Sequence, residues 1–211
     1  PVFHYGEDEK WLRKYLEGGY DYLSLGGMVP ISTTALTTWL DRLFLNNLTD
    51  KKGMPIIKVH GFGLTSFSLM FRYPWYSIDS TSWVVTGRLG SIFIPMFKQG
   101  KWMYEKPPLK IAVSSKSPSL KEAGKHISTL SPNQKQVLIN YLTKHGYKLG
   151  KSEFKSEKQT YELKENEKWS EKKPKDKDKK REVEVIVEPG ICNTYQLRDE
   201  LNIIYYLELE K

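Results

Sequence analysis

From Pro1 to about Ser82 the sequence alternates short apolar runs with longer amphipathic stretches, and this rhythm restricts the chain to parallel βαβ units. Residues 1–6 read as a strand ending in Gly6. Residues 7–19 read as a helix with Trp11, Leu12, Tyr15 and Leu16 on one face, acidic residues in its first turn, and Gly18 and Gly19 closing it. The second strand, residues 20–27, again ends in glycines. A second helix is expected over 31–48, with Thr33 or Thr34 as its N-cap and Leu36, Leu40, Leu43 and Phe44 as its apolar stripe. Residues 55–63 are the third strand, 64–74 a short helix stopped by Pro74, and 75–83 the fourth strand. Every strand ends in small or polar residues, where the βα loops of a barrel carry chemistry. An open doubly wound sheet fits the same pattern, but no G-x-G-x-x-G follows the first strand, which disfavours a dinucleotide fold.

After Trp83 the rhythm changes to short strands and turns, with Lys98-Gln99-Gly100-Lys101 as a hairpin. Residues 130–150 contain a helix capped by Ser131, with Pro132 in its first turn and Gly146 ending it. Residues 151–182 are rich in lysine and glutamate and read as a solvated insert, with a phosphate-contacting tail as the alternative. Strand pattern returns over 182–190, and residues 195–211 make a closing helix or helix–strand piece. The expected organisation is a half barrel over 1–110, a helical region over 111–150, a charged insert or linker over 151–182 and a strand/helix element over 183–211.

The formal charge of +8 and a pI of about 9.3 favour a polyanionic partner. With Cys192 the sole cysteine, an internal disulfide and a multi-cysteine zinc site are excluded, and a reducing cytoplasm is the expected location. No apolar run approaches the ~18 residues of a membrane span. No charged segment followed by an apolar one opens the chain, so no secretory signal is expected. The chain opens on Pro1 with a strand already under way.

Asp79, at the end of the fourth strand, is the first candidate for chemistry. A carboxylate there can attack an anomeric carbon and hold a covalent sugar intermediate; it can equally cap the following turn. Gly26 and Gly27 either let a flat ligand approach the backbone or simply turn the chain into the next helix. His60, followed by Gly61 and Gly63, is either a base or ligand or an inward-facing residue satisfied by its neighbours. Arg88 either meets a phosphate or lies on the surface. His4 and Tyr5, before Gly6, either contact a base or pack in the core.

These elements, in this order, resemble the tRNA-guanine transglycosylase superfamily, and most closely its phage and bacterial branch that places 7-deazaguanine bases into DNA. The glycine pair in LSLGGMVP, the His-Gly-x-Gly in VHGFGLTS and the aspartate in YSIDSTSW carry the likeness, which covers roughly residues 1–90. It implies the C-terminal half of a TIM-like (β/α)8 barrel followed by a small α+β region. It also implies that Asp79 attacks C1′ of the target nucleotide and displaces guanine. Gly26, Gly27 and Met28 would contact the incoming 7-deazaguanine base, Gly61 and Gly63 beside His60 would wall the pocket, and His4 and Tyr5 would touch the base. Arg88 and Trp83 would face the nucleic acid, with Trp75 and Tyr76 near the mouth for a base drawn out of its stack. The zinc-bound members use three cysteines and a histidine that this chain lacks, which ranks DNA above tRNA; no metal and no cofactor are expected. The family's first four strands have no counterpart here, so an N-terminal half-barrel partner or a homodimer is expected to complete the barrel. Two other functions fit the same residues: a noncatalytic nucleic-acid-binding subunit, and an unrelated barrel enzyme acting on a phosphorylated metabolite.

Overall fold

The computed structural model describes residues 1–117, 119, 122–176 and 178–211. Packing divides the chain into two units, Pro1–Ser82 and Trp83–Lys211, a division at a different place from the composition changes near 110, 150 and 182. Pro118, Leu120 and Lys121 of the expected helical region, and Lys177 of the charged insert, lie outside the described residues.

In the first unit β1 (Val2–His4), β2 (Tyr22–Gly26), β3 (Lys58–Gly61) and β4 (Ser77–Ile78) form one parallel sheet in sequence order. The crossovers are α1 (Glu9–Glu17), α2 (Thr33–Leu43) and α3 (Phe67–Arg72). Leu23 and Leu25 on β2 are fully buried, and Ser24 between them is nearly so. Burial on both faces is the mark of a parallel strand covered by helices on its crossovers. The structure thus carries the expected βα rhythm as an α/β sheet with two edge strands, β1 and β4; no closed barrel is present among the described residues.

Local chemistry sets the helix starts. Asp8 caps α1, its Oδ1 accepting from Lys10 N at 2.9 Å. Ser32 caps α2, its Oγ accepting from Ala35 N, in place of the expected Thr33 or Thr34. Ser32 keeps an extended backbone with ψ 147°, whereas Thr33 and Thr34 are already helical and give their carbonyls to the hydroxyls of Thr37 and Thr38. After Leu43 the helix widens into a π-helical turn, Phe44–Leu48. Phe44 there stacks on Tyr73 and meets Trp75 edge-on, with centroids 4.9 and 5.1 Å apart.

The second unit opens on α4 (Ser82–Arg88), where strands and turns were expected. Val84, Val85 and Thr86 favour extended backbone; tertiary contacts override them. Asn202 on α6 (Tyr195–Leu209) donates to Trp83 O at 3.0 Å, and Arg198 Nε donates to Gly87 O at 2.7 Å. Strand β5 (Ser91–Ile94) pairs antiparallel with β8 (Leu109–Ala112), and β6 (Met96–Lys98) with β7 (Lys101–Met103). Gln99 and Gly100 make the two-residue hairpin turn, both at positive φ. Helix α5 (Pro132–Lys144) has the expected Ser131 cap, reinforced by Gln134 reaching back to Ser131 N, and Gly146 follows at φ 76°. Ile92, Ile111, Leu138, Tyr141 and Leu201 belong to one buried cluster; each such side chain stabilises by about 1.5–3 kcal/mol relative to exposure.

The lysine- and glutamate-rich stretch contains β9 (Lys151–Glu157) and β10 (Glu167–Trp169), which flank β11 (Arg181–Glu188) in the order β10-β11-β9. It is ordered through β11, not by a core of its own. Glu167 and Lys155 pair at 2.9 Å across it. No helix of the described residues is long and apolar enough to cross a membrane.

Candidate active site

The carboxyl ends of the four parallel strands are joined by three successive main-chain bonds. Tyr5 N donates to Gly26 O at 3.0 Å, Phe62 N to Leu25 O at 2.9 Å and Asp79 N to Gly61 O at 3.2 Å. These links carry the chain just past each strand, so the residues following β1, β2, β3 and β4 gather along one edge of the sheet. That edge is where open α/β sheets and barrels collect their chemistry.

Asp79 follows the edge strand β4 and meets the residues at the end of β3. Gly63 N donates to its Oδ1 at 2.5 Å, and His60 Nε2 lies 3.9 Å from the same oxygen. Gly63 has φ 63°, a conformation natural to glycine, which turns its N–H toward the carboxylate. Among the described residues Oδ2 accepts no hydrogen bond, and the side chain is 58 % exposed. One oxygen is therefore held while no hydrogen bond among the described residues engages the other, an arrangement compatible with attack by a carboxylate.

His60 is held from behind by two residues that the sequence did not single out. Its Nδ1 shares a hydrogen bond with Ser77 Oγ at 2.8 Å, and Ser77 Oγ shares another with Tyr22 OH at 2.8 Å. Ser77 stands opposite His60 in the β3–β4 register, and Ser24 stands opposite it on β2. Tyr22 also lies parallel to the imidazole, with centroids 6.5 Å apart, and Phe62 meets it edge-on. The chain Tyr22–Ser77–His60 orients the ring so that Nε2 faces Asp79.

The glycine pair behaves differently at its two positions. A β-carbon on Gly26 would lie 3.0 Å from His4 Cδ2, and one on Gly27 would lie 3.2 Å from Tyr5 N. Gly27 also has φ 69°. Side chains here would close the space between the ends of β1 and β2. His4 is exposed and turned toward Glu7, whose Oε2 accepts from His4 N at 2.8 Å. Tyr5 meets Trp39 edge-on at 5.3 Å. Met28 is 3 % exposed and belongs to the core, so the only atoms it offers a ligand are those of its main chain.

The first unit therefore brings together His4, Tyr5, Gly26, Gly27, His60, Gly61, Gly63 and Asp79. Arg88 and Trp83 belong to the second unit, Trp83 with its carbonyl engaged by Asn202 and Arg88 beside a cavity described below. Trp75 Nε1 donates to Leu69 O at 3.0 Å, and its ring lies against Gly61. Tyr76 is exposed with Lys58 Nζ over its ring at 5.1 Å. Among the described residues no three His, Cys, Asp or Glu side chains group to hold a metal ion. Comparison with family models, curated proteins and solved structures gives no significant match.

Proposed function

We propose that this chain is a base-exchange transglycosylase of the tRNA-guanine transglycosylase type, acting on guanine in DNA in preference to tRNA, with Asp79 as its nucleophile. The observation that carries the reading is the Asp79 carboxylate, pinned through Oδ1 by Gly63 N–H and beside His60 Nε2, with Oδ2 open. On this reading β1 to β4 are the C-terminal half of a (β/α)8 barrel, and the edges at β1 and β4 pair with further strands from a half-barrel partner or a second copy.

Asp79 Oδ2 forms a bond to C1′ of the target nucleotide as the C1′–N9 bond breaks, and guanine leaves with the bonding electrons and takes up a proton. N9 of the incoming 7-deazaguanine base then attacks C1′, loses its proton and releases the carboxylate. One proton is taken up and one released, so the exchange balances without a redox partner. Gly26 and Gly27 present main-chain groups to the flat base, and His60 stands where a proton can be carried between the two bases.

The test mixes wild-type and Asp79→Asn protein with labelled duplex DNA and with tRNA, adds a 7-substituted 7-deazaguanine, and resolves products on denaturing gels. The expected result is a covalent adduct on DNA with wild type alone, and base exchange reduced in the variant on the order of 10³-fold or more. An adduct of equal strength with Asp79→Asn, or none from wild type on either nucleic acid, overturns the reading.

A further inference from the structure

The second unit contains a cavity of about 320 Å³ lined by four basic side chains, Arg88, Lys116, Lys168 and Arg198, against one carboxylate, Glu184. Arg198 is 5 % exposed. Its Nε donates to Gly87 O at 2.7 Å and its Nη1 to Ile191 O at 2.6 Å, which fixes the guanidinium plane. Among the described residues Nη2 donates to nothing, and no carboxylate lies within ion-pair distance of either Arg198 or Arg88. A guanidinium taken out of water is costly unless anions compensate it, and here the compensation is partial: Arg198 is attracted by Asp199 and Glu184, but burial outweighs both and lowers its pKa, and Asp199 is shared with Arg88.

Glu184 does not fill that role. It is 2 % exposed, and its carboxylate is already taken by Ser152 Oγ at 2.8 Å, Lys116 Nζ at 3.1 Å and Lys168 Nζ at 3.5 Å. Lys168 Nζ also donates to Asn193 O at 2.5 Å. The shared carboxylate thus holds both ammonium groups at the cavity and offsets one of the four positive charges, and Asp199, attracted by Arg88 and Arg198, offsets a second. The remaining excess, with the polar groups of Ser114 and Asn193 beside it, suits an anion with several acceptor oxygens and more than one negative charge.

We propose that this cavity binds the phosphate group of a nucleotide, and that the nucleotide belongs to a nucleic-acid strand. The polymeric source rests on the transglycosylase reading; the phosphate chemistry does not. Charge supports the polymer independently. Pro1–Ser82 holds eight Lys and Arg against eight Asp and Glu, so the whole excess of +8 lies in the unit that contains the cavity. The volume falls in the range of sites that enclose a small ligand, enough for the phosphate and the sugar attached to it.

The test uses the full chain as wild type, Arg88→Gln, Lys116→Met and Asp79→Asn. Thermal unfolding is followed with inorganic phosphate and with a nucleoside 5′-monophosphate, and fluorescence anisotropy measures binding of a labelled DNA duplex. Wild type is expected to be stabilised by the monophosphate and to bind DNA, and Asp79→Asn serves only to separate reversible binding from covalent capture. Arg88→Gln is expected to keep the unliganded unfolding midpoint and to lose about 10-fold in affinity for both the monophosphate and DNA. Lys116→Met, which also breaks the pair with Glu184, loses at least as much; should it unfold, Arg88→Gln decides, because Arg88 holds no ion pair among the described residues. Wild-type affinity for all three ligands in Arg88→Gln overturns the proposal. Lost monophosphate binding with unchanged DNA binding assigns the cavity to free phosphate compounds and overturns the nucleic-acid source. Intact phosphate binding with no covalent adduct rejects the Asp79 chemistry alone.

Discussion

Gly190 and Gly150 meet where two segments of the second unit cross without side chains between them. A β-carbon on Gly190 would fall 2.6 Å from both Gly150 Cα and Leu149 C, closer than non-bonded atoms approach unless the backbone moves. The crossing matters beyond itself, because Gly190 N donates to Asn193 Oδ1 at 2.9 Å, and Asn193 lines the basic cavity. Gly190→Ala therefore forces the two segments apart at a cost of roughly 3 kcal/mol, the upper part of the range for overpacking. In a chain of this size that lowers the unfolding midpoint by about 6–12 °C. Gly146 has positive φ but no atom near its absent β-carbon, so Gly146→Asn, which tolerates that backbone, is expected to leave the midpoint close to wild type. Calorimetry on the two variants checks the contrast, and equal midpoints for Gly190→Ala and wild type would refute the close approach.

Helices α2 and α3 are tied by one polar link. Arg72 Nε and Nη2 donate to Asp41 Oδ1 and Oδ2, both at 2.9 Å, and Tyr73 OH donates to Oδ1 at 2.8 Å. The Arg72 bonds first, and Tyr73 second, hold the Asp41 carboxyl below its ordinary value of 3.8, while burial and the bond to Asp41 push Tyr73 up to about 12. A carboxylate with a lowered native pKa stabilises the fold above its unfolded value, and that stabilisation disappears as pH falls through the native one. Wild type is therefore expected to exceed Asp41→Asn in urea midpoint at pH 7, with the gap shrinking once the pH drops below about 3.8. A gap that stays constant down to pH 2.5 would show that the ionised link contributes nothing. Partnerships of this kind also mark how far the sequence could be read. The parallel strands were legible because each is a short apolar run ending in glycine or a polar residue, and the placing of Asp79, Gly61 and Gly63 at strand ends was legible with them. Helix α4 was not, since Val84, Val85 and Thr86 argue for a strand and only Asn202 and Arg198, far along the chain, make it helical. Strand β9 was hidden for the same reason: a run of lysine, serine and glutamate becomes a strand only beside β11. The Tyr22–Ser77–His60 chain and the four cavity cations are each assembled from separate segments, and no local spacing connects them.

At the scale of the whole molecule the decisive property is unequal charge. The unit that holds Asp79 is formally neutral, and the unit that holds the cavity carries the entire +8. On the proposed function this division separates two tasks: attraction of the polyanion falls to the second unit, and the proposed nucleophile Asp79 belongs to the unit without net charge. Binding to DNA should then depend strongly on salt and weakly on sequence, because cations that contact phosphates release counterions without reading bases. If the second unit neutralises about four phosphates, log Kobs against log salt has a slope of about −3.6, and affinity falls by about 150-fold between 50 and 200 mM salt. Arg88→Gln removes one of those contacts and is expected to flatten the slope by about one, whereas Asp79→Asn leaves it unchanged. Anisotropy titrations of the full chain with duplexes of unrelated sequence, across that salt range, measure all three slopes. A slope near zero for wild type would remove nucleic acid from consideration as the partner. A steep slope that Arg88→Gln leaves untouched would keep the partner but move its phosphate contacts away from the cavity, onto the exposed lysines that follow β10.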